Sequence, residues 1–175
     1  MKLNGKSYAG IGARITPDEI LHRMLTGAMA LAEEGYLLRS GHADGADQAF
    51  QMGAGKLSRV YLPWPSYNQN VQIHGNKVVP ENWALHHEAA IHHPIWDELS
   101  QGVQKLLVRN VAILLGSRMD DPVDFVICWT PEGKEIGGTG HALRIAEKWD
   151  IPVYNLGKHG DLERLSKMLW PERWA

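Results

Sequence analysis

The sequence predicts an α/β chain with a mainly parallel sheet covered by helices on both faces. Two observations lead there. Short apolar runs of strand length alternate with longer stretches of helical period, and three glycine-rich turns each follow a strand candidate and precede a helix candidate. With 175 residues, 44% hydrophobic, 22% charged and 18 glycines, the chain is expected to form one domain over 1–175 with a proper core.

The first strand is Ser7 to Ile11, running into Gly12-Ala13-Arg14. Thr16 and Glu19 have capping-box spacing with Pro17 between them, which predicts a helix start. Its apolar stripe runs from Ile20 to Ala32 and Gly35 ends it. Tyr36 to Arg39 is the second strand. It stops at Ser40-Gly41-His42-Ala43-Asp44-Gly45-Ala46-Asp47, and a short helix from Gln48 follows, with Asp44 a candidate cap. Arg59 to Leu62 is the third strand.

From about 65 to 94 the pattern weakens into Ser, Asn, Gln and His, which reads as an insertion over the edge or mouth of the sheet, with one helix from Asn82 to His92. A helix beginning at Asp97-Glu98 then carries Leu99 to Leu114 and contains Arg109 and Asn110. Val123 to Trp129 is the fourth strand. Gly137-Gly138-Thr139-Gly140 opens a helix from His141 to Trp149, Pro152 to Leu156 is the fifth strand, and Asp161 to Leu169 is a final helix.

Net charge is −2, so no global field draws the chain to nucleic acid, although a local basic patch remains open. No apolar run approaches the ~18 residues that cross a bilayer, and the N-terminal residues do not read as a signal peptide. Cys128 stands alone, which makes a reducing cytoplasm the default. His86-His87 and His92-His93 flank Glu88, but without the paired-histidine spacing of zinc proteases. The expectation is a polar surface helix, with neither metal nor cofactor.

In a parallel sheet, ligands bind beyond the carboxyl ends of the strands. That selects the turns around Gly10 to Arg14, Ser40 to Asp47 and Thr130 to Gly140. A tight turn followed by a helix N-terminus favours an anion, because the first helical N–H groups lack partners and carry the positive end of the helix dipole. Arg14 is read as a phosphate ligand or as a partner of Asp18 or Glu19. Arg109 and Asn110 bring polar groups into an apolar stretch, which favours a ligand role. Trp64 and Trp129 end strands, so they either stack on a base or fill the core.

The succession Gly-Ile-Gly-Ala-Arg (10–14), Ser-Gly-x-Ala-x-Gly-x-Asp (40–47), Arg109-Asn110 before an apolar run, and Gly137-Gly138-Thr139 resembles the Rossmann-like domain of DprA-like DNA-processing proteins. It is also similar to the wider SLOG superfamily, which includes the LOG-type nucleoside-monophosphate phosphoribohydrolases. The resemblance implies a doubly wound Rossmann-like fold with five strands in the order 3-2-1-4-5. It also implies recognition of a nucleotide-like ligand. LOG-type members hydrolyse an N-glycosidic bond, whereas DprA-like members bind single-stranded DNA. Where LOG-type proteins have a glutamate, this chain has Arg144.

The resulting expectation is a cleft for a phosphorylated nucleoside or nucleotide-derived molecule. Its ligand residues are Gly10, Gly12, Ala13, Arg14, Ser40, Gly41, Gly45, Arg109, Asn110, Trp129, Thr130 and Gly137 to Gly140. Were it a hydrolase, Asp44, Asp47, Glu132 or Glu135 would supply the carboxylate. The alternatives are a single-stranded DNA binder and a non-catalytic sensor of a nucleotide signal. No membrane partner is expected. Trp170 and Trp174 are read as a homo-oligomer contact or as a segment folded back on its own domain.

Overall fold

The computed structural model describes residues 5–173. Trp174 and the first four residues, both used in the sequence reading, lie outside the described residues. Six strands form one sheet: β1 (Ser7–Gly10), β2 (Leu37–Ser40), β3 (Ser58–Tyr61), β4 (Asn76–Val78), β5 (Phe125–Cys128) and β6 (Val153–Asn155). Their order is β4-β3-β2-β1-β5-β6, and all five neighbouring pairs are parallel. The expected order 3-2-1-4-5 is therefore present, extended at one edge by β4. The sheet has six strands rather than five because the 65–94 insertion contributes a strand of its own.

Alternation along the strands creates two cores, since successive side chains point to opposite faces. On one face Tyr8, Leu38, Phe125 and Ile127 are buried with residues of α1 (Asp18–Glu33), α2 (Ala46–Ala54) and α6 (Asp161–Leu169). On the other, Ala9, Tyr61, Val126 and Cys128 meet α3 (Trp83–Ile91), α4 (Gln101–Leu115) and α5 (Gly137–Lys148). This is the doubly wound arrangement, with helices on both faces of the sheet and β4 and β6 at its edges.

Local chemistry departs from expectation at four helix ends. Thr16 does not cap α1: its hydroxyl donates to the Ala13 carbonyl at 2.6 Å, and the helix starts after Pro17 without a side-chain cap. Asp44 does not cap α2, whose N-cap is Gly45 at φ 84°. Asp97-Glu98 form a separate 3-10 turn, and α4 starts instead from Ser100, whose Oγ accepts the Val103 N–H at 3.3 Å. The glycines at 137–140 lie inside the first turn of α5 rather than ahead of it.

The insertion is not simply a polar cover. Asn82 caps α3 by accepting the Ala84 N–H at 3.0 Å, and Leu85 and Ala89 are completely buried against α4 and α5. Glu88 is also buried. It accepts bonds from Trp149 Nε1 at 2.8 Å and Lys148 Nζ at 3.0 Å and lies 3.1 Å from His92 Nε2. Burial alone would raise its pKa, but these partners together hold it below the usual carboxylate value.

A second buried charge, Arg39, sits in the middle of β2 at 0% exposure. It is tied to the Asp121 carboxylate and donates to the Asp121 carbonyl at 2.6 Å. The pairing is what makes a charge tolerable between two sheet neighbours. Trp170 follows α6 and borders a small hollow with Leu31 and Leu165. No helix among the described residues is long and apolar enough to cross a membrane.

Candidate nucleotide-binding cleft

A cleft of about 760 Å³ opens at the carboxyl ends of β1 and β2, on the α4/α5 side of the sheet. Its floor is the β1–α1 turn, Ile11 to Arg14. Ile11 and Ala13 donate their N–H groups to Ile127 and Trp129 carbonyls at 3.1 and 3.2 Å, so the turn continues the sheet register. Gly12 allows this turn to close on α2, because a Cβ there would lie 2.7 Å from the Ala46 methyl. Gly10 serves packing in the other core: its Cβ would sit 2.6 Å from the Phe50 ring. Arg14 projects from the end of the turn and is exposed.

The β2–α2 turn forms the next wall. Ser40 Oγ donates to the Gly10 carbonyl at 2.7 Å and pins the two strand ends together. His42, at φ 64°, is fully buried between Gln51 and the Val71 carbonyl. Asp44 turns to the surface, where it accepts from Gln48 at 2.8 Å and Asn68 at 3.0 Å. Asp47 points inward and lines the cleft at 4% exposure, with Oδ2 accepting the Ala43 N–H at 3.1 Å. Desolvation raises its pKa, against the pull of Arg109 and backbone donors.

Arg109 comes from α4 and is 7% exposed. Nη1 donates to the Gly41 carbonyl, and the guanidinium lies 5.7 Å from the centre of the Tyr67 ring. Its Nε is buried without a partner. Gly41 is required here, since a Cβ would approach Arg109 Nη1 to 2.5 Å. Beside it, Asn110 Nδ2 donates to the Gly138 carbonyl at 3.0 Å and couples α4 to the start of α5.

Gly137, Gly138 and Thr139 complete the cleft as the first turn of α5. No side chain caps this end, so the leading N–H groups remain available to an anion. A methyl group at Gly138 would meet nothing within 4 Å. Arg144, one turn further on, lines the same space and donates from Nε to the His92 carbonyl at 3.0 Å. Tyr67, His93 and Pro94 close it from the insertion, and Val103, Leu106 and Leu107 give it an apolar wall.

Gly12, Ala13, Arg14, Asp47, Arg109, Asn110 and Gly137 to Thr139 thus meet at one cleft. The other expected residues do not line it. Glu132 and Glu135 are exposed, and Glu132 pairs with Lys134 at 3.1 Å. Thr130 is buried and bonded to Asn155 at 2.7 Å. Trp129 packs on the opposite core, and Trp64 stands edge-on to Tyr67 behind the cleft. Gly140 permits close packing on the Glu135 backbone, 2.5 Å from where its Cβ would lie. Gly45 lies against the Arg14 backbone.

Tyr67, His93 and Arg144 were not among the expected ligand residues. The first two lie in the weakly patterned insertion. Arg144 was visible in sequence only as the replacement of a glutamate. Among the described residues no group of three or more His, Cys, Asp or Glu side chains is placed to hold a metal ion.

No protein-family model and no curated protein matches this chain. A solved structure of DNA processing protein A from Helicobacter pylori does, with a TM-score of 0.57 and 21% identity over 86% of this chain. The fold is DprA-like. The chain spans 64% of the length of that structure, which is described as revealing a single-stranded DNA binding mode for the Helicobacter protein. At this identity the likeness carries the DprA-like architecture and no residue roles. No family model and no curated protein supports the LOG-type side of the sequence resemblance.

Proposed function

We propose that the cleft binds single-stranded DNA, holding a backbone phosphate between the first turn of α5 and the surrounding arginines, in the cytoplasm. The observation that carries this reading is the convergence of Arg14, Arg109 and Arg144 with an uncapped glycine-rich helix start. Against three guanidinium groups stands one carboxylate in the lining, Asp47. Arginine suits phosphate because its planar fork can donate two bonds at once. Tyr67 and the apolar wall of α4 offer a base a surface to lie on.

A free phosphorylated nucleoside is the second reading. The net charge of −2 favours it, because a long polyanion gains little from the chain as a whole. Hydrolysis of its N-glycosidic bond is not part of the proposal. Asp47 already accepts a backbone N–H through Oδ2, and Glu132 and Glu135 lie away from the cleft.

The test is thermal stability of the full chain with short oligothymidylates and with nucleoside mono-, di- and triphosphates, followed by chromatography of each mixture. A ligand at a hundred times its Kd adds about 2.7 kcal/mol to stability. A shift with oligonucleotides alone supports the DNA reading. A shift with one mononucleotide, recovered intact, replaces it with the second reading, and released base restores hydrolysis.

A further inference from the structure

The insertion helix α3 presents an exposed stripe that the cleft does not explain. Trp83, His87 and Ile91 follow one another at a spacing of four residues and are all exposed, opposite the buried Leu85, Glu88 and Ala89. Trp83 is 78% exposed, the most of any large apolar side chain among the described residues, and its ring centre is 6.4 Å from that of His87. The stripe runs toward the cleft. Two and three residues beyond Ile91 come His93 and Pro94, which line the cleft, and the exposed Ile95 and Val103 carry the apolar surface on to its α4 wall.

We propose that the outer face of α3 is a second contact for the same DNA strand, a stacking track on which Trp83 receives a base after the strand leaves the cleft. The inference rests on the DNA-binding reading above. From Trp83 to Ile91 the helix rises about 12 Å, at ~1.5 Å per residue. That is room for three to four nucleotides at the stacked spacing of ~3.4 Å.

Charge agrees with this occupant. Glu88, the one carboxylate of α3, is buried, so the outer face of the helix bears no acid. Arg118, its side chain 84% exposed and its Nε 3.8 Å from Asp120, adjoins Ser117, whose carbonyl accepts from Asn82 Nδ2 at 3.3 Å at the head of the helix. A second copy of the chain fits less well. The three side chains offer on the order of 400 Å², about half of what each partner contributes to a stable interface, whereas one indole face suffices for a base.

The test measures binding of oligothymidylates of four and twelve nucleotides to the full chain by fluorescence anisotropy, with Trp83→Ala, Trp83→Phe and Arg14→Ala compared to the unaltered chain. Trp83 is exposed, so its replacement leaves the fold intact. Trp83→Ala should weaken the twelve-mer about tenfold and leave the four-mer unchanged, Trp83→Phe should recover most of the loss, and Arg14→Ala should weaken both. Equal affinity of Trp83→Ala and the unaltered chain for the twelve-mer overturns the track while leaving the cleft standing. So does a dimer, seen by light scattering, that Trp83→Ala dissolves. Failure of both oligonucleotides to bind overturns the cleft reading and the track together.

Discussion

Asn110 Nδ2 donates to the Gly138 carbonyl at 3.0 Å, and this bond fixes the first turn of α5 to α4 beside the uncapped N–H groups that the proposed phosphate would use. Asn110 is 8% exposed, so the bond is largely shielded from water. Asn110→Ala should cost about 1 kcal/mol in a urea titration, the net worth of one such bond. It should also weaken oligonucleotide binding. A variant that loses stability and keeps full affinity would show that the turn needs no such anchor.

Two glycines make opposite predictions. Gly41→Ala places a methyl 2.5 Å from Arg109 Nη1 and 2.9 Å from Asp47, so it should destabilise by about 1–3 kcal/mol and weaken binding. Gly138→Ala meets nothing within 4 Å and lies inside a helix, so it should stabilise by about 0.5–1 kcal/mol. Because the new methyl stands where a phosphate would approach, affinity should fall as the Tm rises. Unchanged affinity in Gly138→Ala would place the ligand elsewhere.

Asp47→Asn tests the electrostatics of the cleft. The amide oxygen can still accept the Ala43 N–H that Oδ2 accepts now at 3.1 Å, but the negative charge beside Arg109 is gone. Anion affinity should rise several-fold at low salt. A loss of binding would mean that Asp47 itself touches the ligand, as the hydrolase reading requires.

His141 makes stability depend on pH. It is fully buried, its Nε2 bonds to the Ala89 carbonyl at 2.9 Å, and desolvation lowers its pKa from 6.5 to about 4, helped by Arg144, His92 and His93. The unfolded chain therefore takes up a proton below pH 6.5 that the folded one refuses. The contribution is complete above pH 6.5 and is lost as pH falls toward 4, about 3 kcal/mol in all. His141→Gln, which keeps a donor for Ala89, should show a shallower decline in urea melts over that interval. Identical slopes would contradict the burial of a neutral imidazole.

Most of the sheet was legible in the sequence because β1, β2, β3, β5 and β6 are short apolar runs bounded by turn residues. β4 was not. Asn76-Lys77-Val78 is three residues at the sheet edge, two of them exposed, and carries no apolar pattern to read. The cleft turns were legible through Gly12, Gly41 and Gly138. The placing of Trp129 was readable too: Phe125 and Ile127 share the α1/α2 core and Val126 and Cys128 the α4/α5 core, so alternation sends Trp129 away from the cleft. Tyr67 was beyond reach, because its approach to Arg109 depends on a fold of the insertion held by Asn68 and Val71 against the β2–α2 turn.

The measurement that bears most directly on the proposed DNA-binding role of the cleft is the salt dependence of oligothymidylate binding by the full chain and by Arg14→Ala. Arg14 is exposed and lines the cleft, so its loss should leave stability unchanged. Log Kd against log salt should be linear, with a slope set by the phosphates contacted, at ~0.7 per phosphate for a single strand. Arg14→Ala should lower that slope by about one contact. Binding with no salt dependence, or a slope that Arg14→Ala leaves untouched, would contradict a phosphate held in this cleft.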